Sequence, residues 1–339
     1  MASGRHGHLA AVADRTGLIR EVSMFRAIPG YWTAVARGAF TLGSAGVPVV
    51  CDGTATSVSE DDARDRAVYE ALERYCAGFW NVADLRVSPA PDDGGGEPGR
   101  PVVTLRRLSG GGVLSVPADR VFMPFAHDTQ FFDGSSVGLA CGRDEEDARG
   151  RAVDEVVERR VVEPWLERAV TATGNRPVDH AGDEAAVISR VMLDGLVRHV
   201  AVAMVCSERA PLCAVGFGCH EDEDVAIGKA RSEAMHVKAH MTLSVAAGLR
   251  PQPRSGNLLE VALWRSSLDV DAAAAVRHSV RTAAAKACVP TAEISSDRIA
   301  WRNVSTADVR SMGLEVVRAV YVGDFGDFRL GAGRADRSC

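Results

Sequence analysis

The chain repeats itself. A shift that carries Gly53 onto Gly138 also carries Glu60, Ala63, Arg64, Ala67, Glu70, Glu73, Arg74 and Trp80 onto Glu145, Ala148, Arg149, Ala152, Glu155, Glu158, Arg159 and Trp165. A second shift, from Gly138 to Gly216, aligns Glu145, Ala148, Ala152 and Glu155 with Glu223, Ala226, Ala230 and Glu233. Identities kept in register over a whole segment do not arise from composition. They require a fold assembled from a recurring strand-loop-helix unit.

Each copy carries the same local instructions. A glycine-bearing apolar stretch runs into a loop, and an acidic cluster then opens a helix: Ser59-Glu-Asp-Asp62, Asp144-Glu-Glu-Asp147 and Glu221-Asp-Glu-Asp224. Carboxylates in a first turn complement the helix dipole, and Ser59 and Asp144 are placed to cap the open amides. Apolar residues then recur at helical spacing (Ala67, Ala71, Tyr75; Val153, Val157, Val161), which predicts helices over residues 63–80, 148–165 and 226 to about 245. Strands are expected from Gly17 to Val22, on both sides of the turn Ser207–Pro211, and from Leu314 to Val322.

Residues 90–101, rich in Gly, Pro and Asp, read as a loop excursion. Related segments lie on both sides of it, so the expected layout is an arm at 1–14, one domain at 15–330 and a flexible tail at 331–339. The net charge of -6, with no Lys/Arg-rich run, gives no footprint for nucleic acid. No stretch is apolar enough for a signal peptide or membrane span. The eight cysteines are scattered without a CxxC pair, as in a protein of the reducing cytoplasm.

Glu70, Glu73 and Arg74 stand at i, i+3 and i+4 and share one helical face, as do Glu155, Glu158 and Arg159. One such triplet is ordinarily a solvated face with a local ion pair. Its return in register raises the other reading, a shared site onto which several helices direct carboxylates. Ionised together, those carboxylates repel one another. A hard cation relieves the repulsion, and Mg2+ commonly sits between one or two carboxylates and substrate phosphates. Arginines beside them can reach phosphate oxygens or hold the glutamates in place. The pattern points to a nucleoside triphosphate bound through Mg2+, without the Walker sequence of a P-loop enzyme. The fold class expected is therefore α/β, three strand-loop-helix pseudo-repeats around a central nucleotide site.

Other features carry less. Cys213, Cys219 and His220 lack the second ligand pair of a zinc site. His236 and His240 lie one turn apart and read as a satisfied or solvent-facing pair, Trp80 and Trp165 as core anchors, and Cys339 as an incidental terminal thiol.

Three segments resemble the YcaO family of ATP-dependent enzymes, which activate backbone amides of ribosomally made peptides. Glu70-Ala-Leu-Glu-Arg-Tyr75 is similar to the family's first ATP-site helix. Ser135-Ser-Val-Gly-Leu-Ala-Cys-Gly142 followed by Glu155-Val-Val-Glu-Arg159 is similar to the second signature, and His220 to Glu233 to the third. Gly17-Leu-Ile-Arg20 and Gly313-Leu-Glu-Val-Val-Arg318 resemble the flanking strands, so the likeness spans roughly residues 15 to 325.

The resemblance implies ATP and Mg2+ as cofactors. It places Glu70, Glu73, Glu155, Glu158 and Glu233 on the metal, and Arg74 and Arg159 near phosphates or carboxylates. Ser135 and Ser136 fall in the nucleotide-contacting loop, and His236 at a further ATP-site position. It implies phosphorylation of a peptide amide oxygen, giving an azoline, an amidine or a thioamide. The expected partners are a precursor peptide, a separate leader-peptide-binding or sulfur-delivery protein, and a second copy in a homodimer, all in the cytoplasm.

The chain departs from the family pattern at four places. Thr54 stands for a phosphate-side lysine, Arg66 for a serine, Val137 for an asparagine and His236 for a glutamine. The segment Gly331 to Cys339 has none of the prolines common at the end of azoline-forming members. Two alternatives follow: thioamide formation with a sulfur-delivery partner, or a degenerate, non-catalytic subunit that binds peptide or serves as scaffold.

Overall fold

Small residues decide the first contact in this fold. Strands β1 (Ile19–Ile28), β2 (Tyr31–Gly38) and β3 (Gly53–Ser57) form an antiparallel sheet in that order, and helix α1 (Glu60–Ala77) packs on it. Ala34, Ala36 and Ala55 of the sheet and Ala63, Ala67 and Ala71 of the helix are all buried. A Cβ on Gly53 would lie 2.0 Å from the Ala67 carbonyl oxygen, so strand and helix meet backbone to backbone.

This computed structural model describes residues 12, 17–87, 99–127, 130–132, 134–171, 184–194, 196–207, 213–247, 273–274 and 292–322. The tail at 331–339 and nearly all of the arm at 1–14 and the loop at 90–101 lie outside the described residues. The chain divides into two compact units, residues 1–157 with 294–323, and residues 158–293 with 324–339.

After α1 come β4 (Arg86–Val87), β5 (Pro101–Arg107), β6 (Val113–Pro117), β7 (Phe125–His127), β8 (Gln130–Phe132), β9 (Leu139–Gly142) and helix α2 (Glu145–Thr171). Next are β10 (Glu184–Leu193), β11 (Leu196–Cys206), β12 (Cys213–His220), helix α3 (Glu223–Ala246) and β13 (Ala292–Ile294). The chain closes with β14 (Ile299–Asn303), short helix α4 (Ala307–Ser311) and β15 (Glu315–Tyr321).

The first unit holds the three-stranded sheet, a six-stranded sheet of order β4-β5-β14-β15-β9 with β6 on β5, and the hairpin β7-β8. Val68, Leu72 and Cys76 of α1 share one buried cluster with Val103, Leu105, Leu139, Cys141, Val316 and Val320. Helix α1 is thus enclosed by a sheet on each flank. Trp80, expected as a core anchor, packs its ring 4.9 Å from Phe125 and 5.6 Å from Phe122. The side chain of Trp165 is outside the described residues.

The second unit is built on the sheet β12-β11-β10-β13 and α3. The segment 200–206 of β11 is buried on both faces, and β12 is buried from Cys213 to Cys219. Ala226, Ala230 and Ala234 of α3 close on Gly216 and Gly218 of β12.

The helices begin earlier than their apolar spacing suggests, because the acidic cluster is itself the first turn. The Ser59 hydroxyl accepts from the Asp62 amide at 3.3 Å, Asp144 from the Asp147 amide at 2.8 Å and Asp222 from the Val225 amide at 3.0 Å. Helix α1 stops at Ala77, short of Trp80, and α2 runs on to Thr171. Pro101 opens β5 instead of closing the loop excursion. No described helix is long and apolar enough to cross a membrane.

Candidate functional site

The glutamates that recur in sequence recur in their bonding. Glu70 accepts through Oε2 from the Thr54 amide of β3 at 2.7 Å. Glu155 accepts through Oε2 from the Gly138 amide just ahead of β9 at 3.0 Å. Glu233 accepts through Oε2 from the Phe217 amide of β12 at 2.6 Å. In each case a helix carboxylate holds the main chain of the strand segment that precedes its own helix. Such charge-assisted bonds fix the rotamer and aim the second oxygen.

In the first unit a further carboxylate joins Glu70 and Glu155. Glu73 accepts from the Cys141 amide at 2.7 Å, at the edge strand of the six-stranded sheet. The residue as a whole is half-buried, and its carboxyl sits deep among protein atoms. Burial raises its pKa well above the ordinary 4.5, and the charges of Glu155 and Glu70 add to the rise against the Cys141 amide and Arg151. Arg74 donates through Nη2 to Glu70 Oε1 at 2.5 Å, while its buried Nε has no hydrogen-bond partner among the described residues.

The loop ahead of β9 exposes Ser135 and Ser136, and Ser135 Oγ accepts from the Val137 amide at 3.2 Å. Beneath it lies a residue that the sequence reading missed. Arg318 is only 5% exposed and donates to the carbonyls of Arg120 and Ser135. The available signal was one arginine inside the apolar run Val316-Val-Arg-Ala-Val320. Alternation alone would read it as a side chain facing water.

The second unit contains Glu158, Arg159 and Glu233. Glu158 is buried, and Arg159 lies 3.6 Å from its Oε1 and 3.5 Å from Glu233 Oε1, with the guanidinium 5.7 Å over the Phe217 ring. His236 is half-buried one turn beyond Glu233. Both repeat arginines therefore lie against carboxylates. At the positions of departure, Thr54 serves Glu70 through its main chain, and Arg66 reaches the Thr56 carbonyl at 3.4 Å and Asp62 at 3.8 Å.

The donor set of the first unit is hard and anionic, and the Glu73 pKa is raised first by burial and then by the charges of Glu155 and Glu70, both of which a bound cation would offset. Among the described residues no three His, Cys, Asp or Glu side chains are grouped closely enough to enclose an ion. Mg2+ is commonly held between one or two carboxylates and phosphate oxygens, and carboxylates placed as Glu70 and Glu155 are would serve it in that way. The residues fit Mg2+ with a nucleotide.

The family model described as the ATP- and Mg2+-binding YcaO cyclodehydratase matches residues 92–321. Among solved structures, a YcaO from Methanopyrus kandleri bound with AMPPCP and Mg2+ superposes with a TM-score of 0.56 at 16% identity, covering 94% of this chain and 90% of that one. A heterocyclase in complex with substrate and cofactor gives 0.56 at 15%, covering 94% of this chain and 52% of that one, so this chain spans about half its length. A chain of the E. coli microcin synthetase McbBCD complex gives 0.56 at 10%, covering 88% and 87%. At these identities the likeness is one of fold. No curated protein matches the chain. The α/β architecture is that of the YcaO structures, and ATP and Mg2+ are the cofactors. The match at 92–321 covers well over half of the 339 residues, and the chain belongs to the YcaO family of ATP-dependent cyclodehydratases.

Proposed function

We propose that this protein activates a backbone amide of a precursor peptide so that a neighbouring Cys, Ser or Thr side chain closes on the amide carbon and an azoline forms with loss of water. The observation that carries this reading is the bond, made once on each of three helices, between Glu70, Glu155 or Glu233 and a strand amide. ATP, when bound, would supply the phosphoryl group taken by the amide oxygen, which then leaves as phosphate, with ADP as the other product. Glu70, Glu73, Glu155, Glu158 and Glu233 are the proposed Mg2+ ligands. Arg74 and Arg159 hold carboxylates in place and lie within reach of phosphates, and Ser135, Ser136 and His236 line the nucleotide. The family description as a cyclodehydratase favours azoline over thioamide or amidine.

The reading extends to a cytoplasmic homodimer whose chain is one domain from 15 to 330, built of three divergent repeats and served by a separate leader-peptide-binding protein. Calorimetry of ATP with Mg2+ tests it. Wild type should bind, and the double variant Glu70→Gln with Glu158→Gln should lose at least about tenfold in affinity, as removal of charge-assisted contacts predicts. No binding by wild type would overturn the nucleotide reading and leave a non-catalytic peptide-binding or scaffold subunit. Unchanged binding by the double variant would refute the residue assignment. The product mass separates the chemistries: loss of water marks an azoline, and exchange of oxygen for sulfur a thioamide made with a sulfur-delivery partner.

A further inference from the structure

We propose that Arg318 is a positioning residue for the nucleotide site, fixing through its buried guanidinium the main chain of the loop Ser135–Gly138. The inference rests on the nucleotide reading above and names how one of its loops is held.

Arg318 sits in β15 between Val316, Val317, Ala319 and Val320, all buried. A guanidinium is costly to place there, and a valine would fill the strand without that cost. Burial draws its pKa down only to about 10, so it is charged at neutral pH. Its bonds are directed at main chain. Nε and Nη2 donate to the Arg120 carbonyl at 3.0 and 2.9 Å, and Nη2 donates to the Ser135 carbonyl at 2.6 Å. The charge that attracts it is Glu155, which also accepts the Gly138 amide. Nη1 is buried and has no partner among the described residues.

The neighbouring residue completes the grip. The Ala319 amide donates to the Gly138 carbonyl at 2.7 Å, so consecutive residues of β15 hold the two ends of the loop. Gly138 adopts φ 78°, and a Cβ there would meet the Ala319 oxygen at 2.2 Å. The far end is therefore fixed by backbone and survives any side-chain change. Substituting Arg318 releases one end alone, which makes its role separable from that of the strand.

Arg318→Lys and Arg318→Gln test this, with ATP affinity in Mg2+ read by calorimetry and loop order by amide hydrogen exchange. Arg318→Gln should weaken ATP by about tenfold or more and speed exchange at Val137, leaving the Gly138 and Cys141 amides, held by Glu155 and Glu73, protected. Arg318→Lys, which keeps the charge but not the planar fork, should fall between. A folded Arg318→Gln with wild-type affinity sinks the inference, as does failure of both variants to fold, since the residue would then serve the core. Failure of wild type to bind ATP would instead sink the nucleotide reading and this inference with it.

Discussion

Glu73 shows how much one residue can report. Its carboxyl is raised well above 4.5 by burial and by the charges of Glu155 and Glu70. A carboxyl raised in this way binds its proton more tightly in the folded protein than in the unfolded chain. Its contribution to stability is complete below the unfolded value near 4.5 and is lost as pH rises through the folded value. Each unit of rise costs about 1.4 kcal/mol once pH exceeds it. Without Mg2+, the wild-type melting temperature should therefore fall as pH climbs from 4.5, and Glu73→Gln should flatten the decline. Mg2+ with ATP should restore wild type at the high-pH end and release a proton on binding, seen as a buffer-dependent heat. Identical pH profiles for the two proteins would show that another group titrates.

The strand-helix contacts govern stability at the scale of the element. A Cβ at Gly216 would lie 2.1 Å from the Ala234 nitrogen and 2.3 Å from the Ala230 oxygen, so Gly216→Ala must push α3 off β12. Overpacking of this kind costs about 1–3 kcal/mol. Gly228 lies in the same helix with nothing within 4 Å of its missing Cβ, and Gly228→Ala should gain about 1 kcal/mol from helix propensity. Urea midpoints moving in opposite directions check the pair, and a shared direction would refute the packing account. These elements were legible where the information is local. Ser59, Asp144 and the acidic first turns announce helix starts, and the apolar pattern around Ser207–Pro211 announces β11 and β12. Strand β10 was not legible, because what defines it is its register on β11, from Glu184 against Val205 to Leu193 against Leu196. The same division holds at the site. Helical spacing exposes Glu70 and Glu73 as one face, but their amide partners, Thr54 and Cys141, are tertiary facts. Arg318 is hidden because its role is to reach carbonyls of loops remote in sequence.

For the whole molecule, charge decides which form of the nucleotide can bind. The chain carries a net charge of -6, and the carboxylates of the candidate site add a local excess of the same sign. The two repeat arginines offset little of it: Arg74 is paired with Glu70, and Arg159 lies against both Glu158 and Glu233. An uncomplexed triphosphate approaching such a surface meets repulsion, whereas the same triphosphate carrying Mg2+ brings the charge the carboxylates lack. Metal and nucleotide should accordingly bind as one ligand. At about a hundred times its dissociation constant, ATP with Mg2+ should stabilise the fold by about 2.7 kcal/mol and raise the melting temperature. ATP with a chelator should give no shift, and Mg2+ alone only a small one, because phosphate oxygens are needed to complete its shell. An equal shift with and without chelator would mean that arginines, not carboxylate-held Mg2+, carry the phosphates. It would move the site from Glu70, Glu73 and Glu155 toward the cations beside them.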